Sequence, residues 1–355
     1  MGGAASLIAS ILSAATLLLL AGLLYVSFSH NLSNPLSSFL NVTSTVVSTG
    51  QNGTLITTTA QSVNTSQTSV ALEEYALGLI NADRHQYGLG NVTLSNEPSG
   101  QQHSDSMIVN NYFSHWDIYG MKPYMRYTLV GGTGAVSENI AFRESAACGI
   151  FGCNGNINVK QALQQMEYDM MYNDSACCNN GHRYNILDPN HNQVSIGIAY
   201  NASSVYFTED FIDNYIAWSS YGIDNATQEM YLQGTLQGGY KLNSVQVSYD
   251  QQVQDMSKAQ LAATSSYSYG TTVAGVVSSP LYYYTGIETI DADRYTVSGN
   301  SFNVAFSMKN LISKYGAGEY TVMVWLNGTS GSGFVGSTYT VFVNSQGTVY
   351  TPNAV

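Results

Sequence analysis

The chain has 355 residues, room for about two folded units at roughly 150 residues each. Charged residues make up only 10% of it, and 27 Tyr, 33 Gly and many Ser, Thr, Asn and Gln fill the shortfall. A net charge of −12 excludes nucleic acid as the default partner, since nothing neutralises a run of phosphates, and a 44% hydrophobic content excludes wholesale disorder.

No Asp, Glu, Lys or Arg precedes Glu73. From Ala4 to Phe28 the residues are almost all Ala, Leu, Ile, Val and Ser, long enough as a helix to cross the roughly 30 Å hydrocarbon core. Residues 4–28 are therefore predicted to be a transmembrane helix, anchoring the protein in the cell membrane by a single pass. A removed signal is the alternative, because Ser27 and Ser29 are small enough for cleavage, and the protein is then secreted. Either reading exports the rest of the chain. Nine Asn-X-Ser/Thr sequons, at Asn31, Asn41, Asn52, Asn64, Asn91, Asn173, Asn201, Asn225 and Asn327, suit a glycoprotein outside the cell. Four of them fall in residues 29–69, a Ser/Thr/Asn-rich stretch without periodicity that reads as a glycosylated stalk.

Helical spacing begins at Leu72 and runs through Tyr75, Ala76, Leu79 and Ile80, with Tyr87-Gly88 as its end. A second helix is predicted after Pro98, towards Asn111, and a third over about residues 158–173, with Val159, Ala162, Leu163, Met166 and Met170 on one face. Val194, Ile196, Ile198 and Tyr200 alternate as a strand with one buried side, and Val205–Phe211 is its antiparallel neighbour. Helices followed by paired strands imply an α+β domain over residues 70–215.

Five segments of this region, in order, resemble the cysteine-rich secretory, antigen 5 and pathogenesis-related (CAP, or SCP) superfamily in its prokaryotic form. They are Ile80-Asn81-Ala82-Asp83-Arg84, His103-Ser104-Asp105-Ser106-Met107, Tyr112-Phe113-Ser114-His115, Ser137-Glu138-Asn139-Ile140-Ala141 and Gly181-His182-Arg183-Tyr184-Asn185-Ile186-Leu187. The resemblance implies a three-layer α-β-α sandwich with a cleft on one side. The scarcity of Lys and Arg, beside abundant Tyr, Ser, Thr and Asn, further resembles exported archaeal surface proteins.

His115, Glu138 and His182 each stand among turn-forming neighbours. Imidazoles and carboxylates that converge can bind a divalent metal or act as general acid and base. The resemblance implies that they do converge, in a tetrad of His115, Glu138, an acid of the third helix and His182. Family spacing points to Asp169 as that acid; Glu167 is the rival, because both flank the apolar stripe by about 80° on opposite sides. Two histidines, His115 and His182, are enough for a weak Zn²⁺ site, the one cofactor entertained. Plainer roles are open to the same residues: His115 can cap a helix, Glu138 can hold a loop, and His182 can satisfy buried carbonyls. Below about pH 4 outside the cell both imidazoles are protonated and cannot ligate metal. His103 and His191 read as surface or packing residues, and Ser104, Ser106 and Ser114 lack a nucleophile's strand–turn–helix setting.

Cys148, Cys153, Cys177 and Cys178 form an even set, as suits disulfides outside the cell. Adjacent cysteines bridge each other badly, so the expected bonds cross from Cys148 and Cys153 to Cys177 and Cys178; a Cys₄ zinc site is the alternative. After Asp213, alternating runs at Tyr231–Leu236, Val245–Tyr249, Phe302–Phe306, Tyr320–Leu326 and Thr338–Val343, punctuated by glycine turns, predict an all-β sandwich over residues 216–355, with Met308–Tyr315 as a short helical insertion. This block has no His or Cys. The predicted function is an extracellular binding or interaction role through the His/acid cleft, with an unknown extracellular ligand. The alternatives are a metal-dependent, peptidase-like hydrolase and a structural component of the cell envelope.

Overall fold

A computed structural model describes residues 65–145, 156–328 and 333–351, together with two pairs of two-residue strands, Ser48–Thr49 with Leu55–Ile56 and Cys148–Gly149 with Gly152–Cys153. The predicted membrane segment lies outside the described residues, as does the predicted stalk apart from the first strand pair and the residues from Thr65 on. Among the described residues no helix is long and apolar enough to cross a membrane. The chain divides into units Met1–Val63 and Asn64–Val355, and the second contains every element from Thr65 on.

Helix α1 covers Thr65–Gln86, starting earlier than the apolar spacing predicts, and buries Leu72, Ala76 and Ile80. Gly88, at φ +74°, closes it: the Leu89 amide reaches back to the Arg84 carbonyl. Strand β1 (Thr93–Leu94), helices α2 (Ser99–Asn110) and α3 (Pro123–Leu129) and strand β2 (Ala135–Glu144) follow. Asn111 stops α2 in the left-handed conformation. Helix α4 (Val159–Tyr172) is capped by the Asn158 side chain and buries Ala162, Leu163, Met166, Glu167, Met170 and Met171. Two short helices, α5 (Ser175–Cys178) and α6 (Gly181–Ile186), lead to the long hairpin β3 (Gln193–Tyr200) and β4 (Ser204–Asp213). The sheet order is β1-β3-β4-β2, antiparallel except for β1 with β3.

Strand β3 is buried on both sides, where the alternation predicted one. Val194, Ile196 and Ile198 join Ile80 of α1 and Leu163 of α4 in one core. On the other face Ser195 and Gly197 let α2 lie directly on the strand, the Gly100 amide donating to Ser195 Oγ at 3.2 Å. A Cβ on Gly197 would stand 1.9 Å from the Gly100 carbonyl oxygen, so only glycine fits there. Helices thus cover both faces of the sheet, α2 on one and α1 and α4 on the other.

The second half is a sandwich of two sheets. Strands β5 (Ile216–Ile223), β6 (Glu229–Leu236), β10 (Arg294–Ser298) and β11 (Ser301–Ser307) form one, in the order β10-β11-β6-β5. Strands β7 (Lys241–Gln251), β8 (Thr271–Val277), β9 (Glu288–Asp291), β12 (Gly318–Asn327), β13 (Gly333–Val343) and β14 (Val349–Tyr350) form the other, in the order β9-β8-β7-β12-β13-β14. Helix α7 (Lys258–Ala262) lies between β7 and β8, and the predicted insertion is helix α8 (Lys309–Tyr315). Met230, Leu232, Phe302 and Val304 of the smaller sheet share one core with Val247, Val322, Val324 and Val341 of the larger. The opposite face of β12 and β13 is buried too, because the first half docks on it. Ser337 Oγ donates to the Thr133 carbonyl at 2.5 Å, and the Thr340 amide donates to Thr128 Oγ1 at 3.1 Å.

Candidate functional site

Edge strand β2 sends Glu138 and Asn139 to opposite faces of its sheet, and each collects a separate polar cluster. On the α2 side, Glu138 is completely buried. Its Oε1 meets His115 Nδ1 at 2.8 Å, and its Oε2 accepts from Arg126 Nη2, on α3, at 2.6 Å. Arg126 Nη1 also donates to the carbonyls of His115 and Met121, tying the His115 loop to α3. His103 is buried on α2, its Nε2 bonded to the Ser114 carbonyl at 2.9 Å and 3.8 Å from Glu138 Oε1. Asp210 stands opposite Glu138 in register on β4 and accepts from Ser99 Oγ at 2.5 Å.

Burial sets the protonation of this cluster. It pushes the Glu138 carboxyl up to about 7 against the pull of Arg126, and the His115 imidazole down to about 4 with Arg126 adding to the effect. His115 is therefore neutral at ordinary pH, and its contact with Glu138 is a hydrogen bond to a neutral ring. Burial, then the Glu138 charge, drives Asp210 well above the usual carboxylate range, so Asp210 holds its proton.

A strap from the second half closes the cluster. Over residues 264–269, Thr264 Oγ1 meets Ser114 Oγ at 2.6 Å, and the Tyr267 hydroxyl accepts from the Glu138 amide at 2.7 Å. The Tyr267 ring packs edge-on to His115 at 5.2 Å. The Ser268 carbonyl accepts from Lys122 Nζ and the Tyr124 hydroxyl, which also bind Asp250. His115 keeps 17% of its side chain exposed. Nearby, between the two halves, lies a groove of about 440 Å³ lined by Trp116, Gly120, Lys122, Met125, Asp250 and Gln251.

On the other face, Asn139 Nδ2 donates to Glu209 Oε2 and to the His182 carbonyl, each at 3.1 Å. Glu209 and Glu167 are both buried and paired carboxyl to carboxyl. Burial and then the Glu209 charge raise the Glu167 carboxyl well above the usual range, so Glu167 keeps its proton. His182 has its own carboxylate: Nδ1 meets Asp174 Oδ1 at 2.6 Å, while the His182 and Arg183 amides donate to Asp174 Oδ2.

The predicted residues therefore stand as two pairs of different make-up, His115 with Glu138 and His182 with Asp174. They are linked through Asn139 and Asn185, whose Nδ2 meets the Asn139 Oδ1 at 2.9 Å. Asp169 lies on the outer side of α4, half exposed, against Arg143, Gln165 and Asn173; the acid that turns inward is Glu167. Among the described residues the one set of three or more His, Cys, Asp or Glu with ligand atoms within 4.8 Å of one another is Asp174, Cys177, Cys178 and His182. His115, Glu138 and His182 do not meet that reach, so as placed they do not fit a shared Zn²⁺ ion.

Cys177 and Cys178 are bonded to each other, contrary to the expected crossing pairs. That bond leaves neither sulfur for the other loop. Cys148 and Cys153 face each other across their short strand pair, and their side chains lie outside the described residues. Of the sequons, Asn91, Asn173, Asn201 and Asn225 are exposed and Asn327 is half-buried on β12; Asn31, Asn41, Asn52 and Asn64 lie outside the described residues. His191 is buried and paired with Asp213 at 2.7 Å. Ser104 bonds Thr208 and Ser106 bonds Tyr112, neither of them a base. Asp210, Glu209 and Tyr267 escape the sequence reading because each acquires its role from a segment distant in the chain, and Arg126 escapes it although its partners lie within twelve positions. For Arg126 alone there is a faint signal, as one of few cations in an acidic block.

No family model matches this chain, and no curated protein matches it. Among solved structures it is similar to an extracellular protein containing a SCP domain from Bacillus anthracis str. Ames, at 22% identity and a TM-score of 0.29. The match covers 40% of this chain and 40% of that one. A superposition of that score does not define a fold.

Proposed function

We propose that this chain is a cell-surface protein of the CAP type, anchored in the membrane by residues 4–28, whose polar cleft serves binding or interaction and not bond cleavage. The observation that carries this is the state of Glu138: buried, with one oxygen taken by His115 and the other by Arg126, its amide taken by Tyr267. A general base must reach a substrate proton, and this carboxylate has no free face for one. The groove beside Trp116 offers an aromatic ring and amide and carboxylate groups to an extracellular ligand. The apolar N-terminus and the nine sequons support the surface location.

The test pairs turnover with fractionation. Full-length protein incubated with casein and with p-nitrophenyl esters, at acidic and neutral pH, is expected to release nothing above background. Turnover that disappears in a folded His115→Ala variant would establish the hydrolase instead. Alkaline extraction of membranes should leave the protein in the pellet; a soluble form lacking residues 1–28 would replace the anchor with a cleaved leader.

A further inference from the structure

We propose that Asp174, Cys177, Cys178 and His182 form a redox-gated site for a thiophilic divalent cation such as Zn²⁺ or Cd²⁺, closed in the disulfide state and opened by a dithiol reductant. The inference rests on neither the membrane anchor nor the cleft's binding role. Asn179 and Asn180, both left-handed at φ 51° and 64°, turn the chain back after α5 so that His182 meets Asp174. One ligand atom from each of the four residues then lies within 4.8 Å of the others, and Cys177 Sγ is 3.6 Å from Asp174 Oδ1. Two thiolates, an imidazole and a carboxylate are a complete donor set for a four-coordinate soft or borderline cation. Cys177 is exposed and Cys178 half-buried, so reductant and metal both have access, while buried Asp174 fixes the geometry from behind.

In the structure the two sulfurs are joined. A dithiol reductant closes to its own cyclic disulfide and delivers two electrons and two protons, which break the Cys177–Cys178 bond and leave two thiols. The cation displaces both thiol protons as it binds. Disulfide and metal use the same two sulfur atoms, so each state excludes the other.

The experiment titrates full-length protein with Cd²⁺ alone, before and after reduction and anaerobic removal of the reductant, and reads the thiolate-to-cadmium charge-transfer band. Reduced wild type is expected to bind one Cd²⁺ per chain and oxidised protein none. The double substitution Cys148→Ser with Cys153→Ser should keep the band, Cys177→Ser with Cys178→Ser should abolish it, and His182→Ala should weaken binding by at least about tenfold. Circular dichroism establishes that each variant is folded. Absence of the band in reduced wild type, its survival without Cys177 and Cys178, or full affinity in His182→Ala overturns the assignment.

Discussion

Arg126 is the residue on which the Glu138 cluster turns. Its guanidinium neutralises Glu138 and bonds two backbone carbonyls, and the opposing charges keep it firmly protonated although burial alone would lower its pKa. Arg126→Met should cost up to about 3–5 kcal/mol at alkaline pH, the usual result of stranding a buried charge. Arg126 holds the Glu138 value down at about 7, so without it Glu138 keeps its proton to higher pH and the loss should be smaller at neutral and acidic pH. Urea unfolding at acidic, neutral and alkaline pH measures both. Glu167→Gln should act in the opposite sense. Burial raises the Glu167 pKa, so the folded state holds a proton that the unfolded state gives up, and stability falls as pH rises above the ordinary carboxylate value. The Gln variant has no proton to lose and should be the more stable protein above neutrality, with a flatter profile. The choice between Glu167 and Asp169 illustrates the limit of sequence reading. Helix geometry sets both equally far from the apolar stripe, and what decides is Glu209 on a strand over forty positions away.

At the scale of elements, α2 lies against β3 only because two glycines face each other. Gly197→Ala should destabilise by at least about 3 kcal/mol, since the Cβ meets backbone that cannot move aside. Gly78→Ala, on the open side of α1 with nothing within 4 Å, should instead stabilise by about 0.5–1 kcal/mol. Thermal melts of the two variants check the contrast. The sequence pattern reveals α1, α2, α4, α8 and the β3–β4 hairpin because their apolar faces pack within one layer of their own neighbourhood, and it leaves the short helices α3, α5, α6 and α7 unread. It misses β2, the strand that carries Glu138, together with β1, β5, β8, β9, β10 and β14, most of them short or interrupted by polar residues. It also misreads β3, β12 and β13 as half-exposed, because Ser, Thr and Gly on their second faces are covered by parts of the chain remote in sequence. The cysteine pairing fails for a different reason: the geometric rule against adjacent bridges excludes the pair Cys177–Cys178 that is bonded.

For the molecule as a whole, buried acids outnumber buried bases that offset them, and this gives stability a direction with pH. Burial raises Asp117 to about 6, Glu138 to about 7 and Glu319, on the outer face of β12, to about 8. Each folded carboxyl keeps its proton where the unfolded chain has lost it, so each contributes stability that is present at low pH and lost as pH rises through these values. His115 opposes them: its folded value of about 4 lies below the ordinary 6.5, so its contribution is lost as pH falls through that interval. The raised carboxyls, Glu167 and Asp210 among them, outnumber the lowered imidazoles of His115 and His103 and predict a melting temperature that climbs as pH drops from about 8 towards 5, and Glu319→Gln should remove part of the slope. Scanning calorimetry across that range decides it; a melting point that rises with pH would contradict the assignment.

The strap has an evolutionary corollary. A hydroxyl from one half completes an amide of the other through the Tyr267–Glu138 bond. Recombination that swapped the β-sandwich for an unrelated partner would strip that hydroxyl away and bare the imidazole of His115 to water. The halves are thus expected to have been inherited together, and a gene truncated after Asp213 should encode a sticky, incompletely solvated remnant in place of a smaller working protein.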